Sequence, residues 1–179
     1  SSNGGILPPA SLRVILEPTD AVNLGAKWTL DGGPALDSGF TVISLPAGGH
    51  SISYSSVPGY TAPITETITL TNGTVMTLTR TYELQGTLKI TLDPLAVRTN
   101  GATFRVDGGA FFESDTVVSL APGPHLVTYL AVPGWDPPTG ETVTVQSGVA
   151  TELTRTYSGD LDNDGMPDDW ESQNGLNPN

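Results

Sequence analysis

The residues with most chemistry to offer lie near the C-terminal end, in Asp160-Leu161-Asp162-Asn163-Asp164-Gly165-Met166-Pro167-Asp168-Asp169-Trp170-Glu171. Carboxylates stand at positions 1, 3, 5, 9 and 12 of this stretch, with glycine at position 6. Ca2+ takes about six to eight hard oxygen ligands, and this spacing is the ligand pattern of a twelve-residue calcium loop. Asp160, Asp162 and Asp164 would supply side-chain oxygens, Met166 its backbone carbonyl, Asp168 an oxygen directly or through water, and Glu171 both oxygens. Gly165 permits the sharp turn. Ligand count favours Ca2+ over Mg2+. The competing reading is a solvated acidic tail whose carboxylates repel one another.

The elements around the loop follow from the same stretch. Pro167 suits the first turn of a short helix, and Asp168 and Asp169 favour its N-terminus. Asn174-Gly175 ends that helix. Trp170 and Leu176 are expected to pack back on the last strand before the loop. No helical pattern precedes Asp160, which argues against an EF-hand pair.

The carrier is acidic. The chain has 179 residues, 7 basic and 19 acidic, for a formal net charge of −12; six of the acids fall between 160 and 171. Such a surface repels phosphate backbones and anionic membranes, so neither nucleic acid nor membrane surface is an expected partner. No cysteine is present, which excludes disulfides and thiolate metal sites. No apolar run is long enough to span a bilayer, and no signal peptide is visible. Ser1-Ser2-Asn3-Gly4-Gly5 and Asn177-Pro178-Asn179 read as cut ends of a longer chain.

The bulk of the chain is a duplication. Leu12-Arg13-Val14-Ile15-Leu16-Glu17-Pro18 matches Leu88-Lys89-Ile90-Thr91-Leu92-Asp93-Pro94, and Asp31-Gly32-Gly33 matches Asp107-Gly108-Gly109 at the same spacing of 76. Gly48-Gly49-His50 and Gly123-Pro124-His125 stand 75 apart, as do Val57-Pro58-Gly59-Tyr60 and Val132-Pro133-Gly134-Trp135, which places a one-residue loss near 37–41. Leu78-Thr79-Arg80-Thr81-Tyr82 matches Leu153-Thr154-Arg155-Thr156-Tyr157.

Each copy reads as about six short strands joined by tight turns. Leu12, Val14 and Leu16 share one face, as do Leu88, Ile90 and Leu92. Ala26, Trp28 and Leu30 point inward in the next strand, matched by Ala102, Phe104 and Val106. Asp31-Gly32 is a hairpin signal, and Pro58-Gly59 and Pro133-Gly134 suit the central positions of type II turns. Half-buried strands in this order predict an all-β chain of two tandem, small, antiparallel β-sandwiches with an Ig-like build. The expected divisions are a linker over 1–10, sandwiches over 11–84 and 85–158, and the calcium segment over 159–179.

Other residues that could do chemistry come in pairs. His50 and His125 occupy equivalent places, which favours a packing or hydrogen-bonding role over catalysis. Arg80 and Arg155 lie on the apolar phase of their strands, with Glu66 and Glu141 as candidate partners. Leu126 and Leu130 replace Ser51 and Ser55 on the outward face, either as tolerated surface residues or as a contact patch. Tyr60 and Trp135 could stack on a sugar ring, although an aromatic covering the core edge is the favoured reading. No Ser-His-Asp set, phosphate loop or zinc pattern is present.

Each copy resembles a PEGA-type domain, a small all-β module of bacterial surface proteins. The resemblance rests on the opening Leu-Arg-Val-Ile-Leu-Glu-Pro, the strand from Trp28 to Gly33, Leu45-Pro46-Ala47-Gly48-Gly49-His50 and Pro58-Gly59-Tyr60. The Gly-x-Thr-Pro element typical after Asp-Gly in that family is missing from both 33–39 and 109–115. The segment from Asp160 through Glu171, continued by Asn174-Gly175-Leu176-Asn177-Pro178, resembles the thrombospondin type 3-like calcium repeat of bacterial secreted proteins. Together these resemblances imply a non-enzymatic, calcium-binding spacer or adhesion segment of a secreted or cell-surface bacterial protein. Its expected partners are flanking domains and an unidentified surface protein or glycan. The alternative is a carbohydrate-binding accessory region of a secreted hydrolase.

Overall fold

The computed structural model describes residues 8–160, 162, 164, 166 and 168–178. The chain divides into two compact units, Ser1–Leu84 and Gln85–Asn179.

The first unit runs β1 (Ala10–Glu17), α1 (Thr19–Asn23), β2 (Trp28–Leu30), β3 (Thr41–Leu45), β4 (Gly48–Tyr54), β5 (Tyr60–Thr61), β6 (Glu66–Leu70), β7 (Val75–Thr81) and β8 (Glu83–Leu84). One sheet has the order β3-β1-β7 and the other β2-β4-β6, with β5 and β8 forming a separate two-stranded pair. Alternation along β1 buries Leu12, Val14 and Leu16, which meet Trp28, Ile52 and Leu70 of the facing sheet in one core. Burying each such aliphatic side chain contributes roughly 1.5–3 kcal/mol before the cost of ordering the chain.

The second unit repeats the plan. It runs β9 (Gly86–Asp93), α2 (Leu95–Thr99), β10 (Thr103–Val106), β11 (Phe111–Glu113), β12 (Val117–Leu120), β13 (Gly123–Tyr129), β14 (Trp135–Asp136), β15 (Glu141–Val145), β16 (Ala150–Thr156), β17 (Ser158–Gly159) and α3 (Asp168–Asn174). Its sheets are β12-β9-β16 and β11-β10-β13-β15, and Leu88, Ile90, Leu92, Phe104, Val127 and Val145 fill its core.

Three details depart from the sequence reading. The sandwiches are mixed rather than antiparallel: β1 pairs parallel with β7 along its length, and β9 with β16. β7 and β16 each follow a strand of the opposite sheet and run alongside the first strand of their unit, which alternation alone does not register. A one-turn helix, α1 or α2, follows the first strand of each unit and buries Ala21 or Val97. Five residues are too short to show a helical period. Finally, the length difference between the copies lies at Ser44, not in 37–41. Leu12 pairs with Val42 as Leu88 pairs with Val118, so the 76-residue spacing still holds there. Ser44 then takes φ 61° where the β1–β3 register shifts, as a β-bulge that β12 lacks.

Turns and paired polar residues follow the sequence closely. Asp31 and Gly32 both have positive φ, and Gly33 N donates to Leu30 O at 2.8 Å, closing the hairpin turn. Gly59 has φ 77°, and Tyr60 N donates to Val57 O at 3.1 Å. His50 is buried, with Nδ1 2.7 Å from Asp31 Oδ2 and Nε2 3.0 Å from Pro46 O; His125 repeats this with Asp107 and Ala121. Arg80 and Arg155 are held by Glu66 and Glu141.

Candidate metal centre

The second unit delivers the acidic loop from a fixed edge. Trp135 pairs with Gly159 across β14 and β17, and Asp160 N donates to Gly134 O at 3.1 Å. The chain therefore leaves the sheet with Asp160 anchored and 3% exposed. Carboxylate oxygens of Asp160, Asp162 and Asp164 lie within 4.8 Å of one another, and the last two residues are exposed. The loop folds its own amides onto these acids: Asp164 N donates to Asp162 Oδ1 at 3.3 Å and Met166 N to Asp164 Oδ1 at 2.9 Å. Gly165 and Pro167, assigned to the sharp turn and the helix start, lie outside the described residues.

Helix α3 brings in the remaining carboxylates. Asp168 opens it, and Glu171 follows three residues later, 2% exposed, with Oε2 lacking a hydrogen-bond partner among the described residues. Burial raises the Glu171 pKa, and the charges of Asp162, Asp164, Asp168 and Asp160 raise it further. The helix ends where the sequence puts it: Gly175 has φ 73°, and Leu176 N donates to Glu171 O at 2.9 Å, a Schellman closure. Trp170 and Leu176, expected to pack back on the last strand, are about half exposed and belong to neither core cluster. Glu171 takes the buried position on the helix.

One contributor escaped the sequence reading. A Cβ added at Gly159 would come within 2.7 Å of Asp168 Oδ2, so the glycine makes room for that carboxylate beside the strand. The signal was a glycine immediately before the first acid of the loop, easily taken for a plain linker.

The donors gathered here are all oxygens, four or more of them carboxylates, with two buried acids, Asp160 and Glu171, among them. Repulsion of this kind is relieved by a hard cation of high coordination number. The residues therefore fit Ca2+ chemically.

The two aromatic candidates sit in equivalent two-residue strands. Tyr60 pairs with Leu84 and packs against the first core, and Trp135 packs against the second. Trp135 also lines a cavity of about 430 Å³ with Tyr157, Ser158, Gly159 and Asp168. No helix among the described residues is long and apolar enough to cross a membrane.

No family model matches the chain, and no curated protein matches it. Among solved structures it is similar to the Bacillus anthracis TIE protein, with 16% identity over 84% of this chain and 33% of that one and a TM-score of 0.34. It is also similar to a streptococcal ancillary pilin, at 15% identity over 86% of this chain and 63% of that one, TM-score 0.40. A third similar structure is GBS52, the minor pilin of Streptococcus agalactiae, at 8% identity over 84% and 96% of the two chains, TM-score 0.41. The chain spans a third of the first of these and less than two thirds of the second. Likeness this distant carries no argument about function, which rests on the chain's own residues; the PEGA and thrombospondin type 3 likenesses rest on their motifs.

Proposed function

We propose that Asp160, Asp162, Asp164, Met166, Asp168 and Glu171 bind Ca2+, and that the chain is a non-catalytic structural or adhesion segment of a secreted or cell-surface protein. The observation that carries the metal reading is Glu171. A carboxyl 2% exposed, set among four aspartates and with one oxygen unpartnered among the described residues, is a costly arrangement unless a cation joins it. Metal binding then orders the short acidic exit of the second sandwich and stabilises it by mass action. Two small cores in tandem support the spacer role. Calorimetric titration of Ca2+ into chelator-treated protein tests the metal. One-site binding is expected, with Mg2+ weaker; no heat at millimolar Ca2+ would overturn the reading.

A second reading, carbohydrate binding, is favoured by one feature: the Trp135 cavity adjoins Asp168, which places an aromatic beside polar groups. A glycan array separates the two, because the spacer reading expects no sugar binding there.

A further inference from the structure

The duplication shows which surface the second unit has changed. In each unit the sheet that carries the histidine turns one face to the core and the other outward. The outward face of the first unit is small and polar, with Thr29, Ala35, Ser51 and Ser55. Its Lys27 is held by Asp37 in an ion pair within the unit. At the equivalent places the second unit has Arg105, Phe111, Leu126 and Leu130. The three apolar side chains are 49%, 51% and 40% exposed in that order. Trp28 bridges Leu36 as Phe104 pairs with Phe112, so Glu113 stands for Asp37 and Thr103 for its lysine partner.

Strand register places these groups. Phe111, Arg105 and Thr128 form one row across β11, β10 and β13. Glu113, Thr103 and Leu130 form the next row, where Leu130 N donates to Thr103 O at 2.9 Å. Arg105 Nε donates to Thr128 Oγ1 at 3.0 Å, and the guanidinium lies 5.3 Å from the Phe111 ring centroid. Neither Arg105 nor Glu113 forms an ion pair among the described residues. The face therefore carries one cation and one anion on a diagonal, with Phe111 to one side of it and Leu130 to the other. Strands lie about 4.8 Å apart, and outward residues follow at about 6.8 Å along each. On that grid, a two-fold axis lying in the face and bisecting the Arg105–Glu113 diagonal passes close to both Phe111 and Leu130. It sets Arg105 against Glu113 of a second copy, Glu113 against that copy's Arg105, and Phe111 and Leu130 each against its own equivalent. Such self-complementarity is what an isologous interface requires.

We propose that the outward face of β11-β10-β13-β15 binds a second copy of this chain through reciprocal Arg105–Glu113 ion pairs around Phe111 and Leu130. By the same spacings the face offers roughly 400 Å², below the ~800 Å² a side of a stable complex, so the association is weak and reversible.

The test is sedimentation equilibrium of the full chain at concentrations up to about 1 mM, where a monomer–dimer equilibrium is expected with a midpoint above about 10 μM. Arg105→Glu and Glu113→Arg, each alone, place like charges in contact and should weaken dimerisation at least about tenfold. An equimolar mixture of these two variants should dimerise again, because one chain then carries two acids and the other two bases at the meeting positions. Leu130→Ser and Phe111→Ala should weaken dimerisation as well, and the first unit shows that the fold accepts serine and alanine at these places. Thermal melting of each variant distinguishes a folded monomer from an unfolded one. A parent chain that stays monomeric throughout overturns the proposal and leaves the face to a different protein. A dimer that survives either charge reversal overturns it too, as does a mixture of the two folded variants that remains monomeric.

Discussion

Glu66 holds Arg80 through two parallel bonds, with Arg80 Nε 2.6 Å from Oε1 and a terminal nitrogen 2.7 Å from Oε2. Tyr54 donates to the same Oε1 at 2.6 Å, so one carboxylate ties β4, β6 and β7 together across the two sheets. The second unit repeats the set with Glu141, Arg155 and Tyr129. Side chains about a quarter to a third exposed make these pairs stronger than surface salt bridges. Lysine offers a point charge and cannot reproduce the fork. Arg80→Lys is expected to destabilise the first unit by about 1–2 kcal/mol, and Arg155→Lys the second by the same amount. Hydrogen exchange of the strand amides reads each unit separately; unequal losses would show that the repeated geometry is not repeated in energy.

Both nitrogens of His50 face acceptors, as do those of His125, and only the imidazolium donates from both. The bond to Asp31 chiefly, and that to Pro46 O, raise the His50 pKa above 6.5; Asp107 does the same for His125. The same bonds, with those from Ser51 N and Leu126 N, lower Asp31 and Asp107 below 3.8. A raised histidine pKa gives stability that is fully present below pH 6.5 and lost as pH rises through the folded value. A lowered aspartate pKa gives stability fully present above pH 3.8 and lost as pH falls through its folded value. Urea midpoints should therefore be highest between these limits and decline on the alkaline side. The double variant His50→Gln, His125→Gln should lose the alkaline decline; an unchanged profile would remove the histidines from the account.

Ser44 occupies a bulge that the second unit does without. Deleting it should leave β3 with the register of β12, in which Leu120 pairs with Gly86 as Leu45 pairs with Ala10. The deletion is expected to fold, with a melting temperature within about 5 °C of the parent. Deleting Gly39 instead should disrupt the first unit. Its φ of 80° and the bond from its N to Val14 O place the turn before β3, and its loss would flip Thr41 and Val42 between faces. Circular dichroism melting compares the two; equal behaviour would put the insertion back in the turn.

These details mark what the sequence could express. Alternation such as Leu12, Val14, Leu16 is a local signal and located the strands and core faces directly. Asp31-Gly32 and Pro58-Gly59 encode backbone angles, so their turns were legible as well. Parallel pairing of Leu12 with Met76 is a long-range fact with no local signature, and Ser44 looks like any polar residue in an exposed strand. The same divide runs through the candidate site. Spacing revealed the acids, whereas burial of Glu171 and the room made by Gly159 exist only once α3 has docked beside β17.

Glu171→Gln should act in opposite directions on the two states of the loop. With Ca2+ present, the amide removes one charge and one oxygen ligand, and affinity is expected to fall at least about tenfold by calorimetry. With chelator present, the same change removes a buried charge repelled by Asp162, Asp164, Asp168 and Asp160, so α3 should become better protected against amide exchange than in the parent. Chelation alone should loosen residues 158–178 and leave both sandwiches folded, because Leu12, Trp28, Leu88 and Phe104 are buried in cores that contain none of the described loop residues. A variant that lost affinity and also lost apo-state order would make Glu171 a packing residue. One that kept full affinity would remove it from the ligand set.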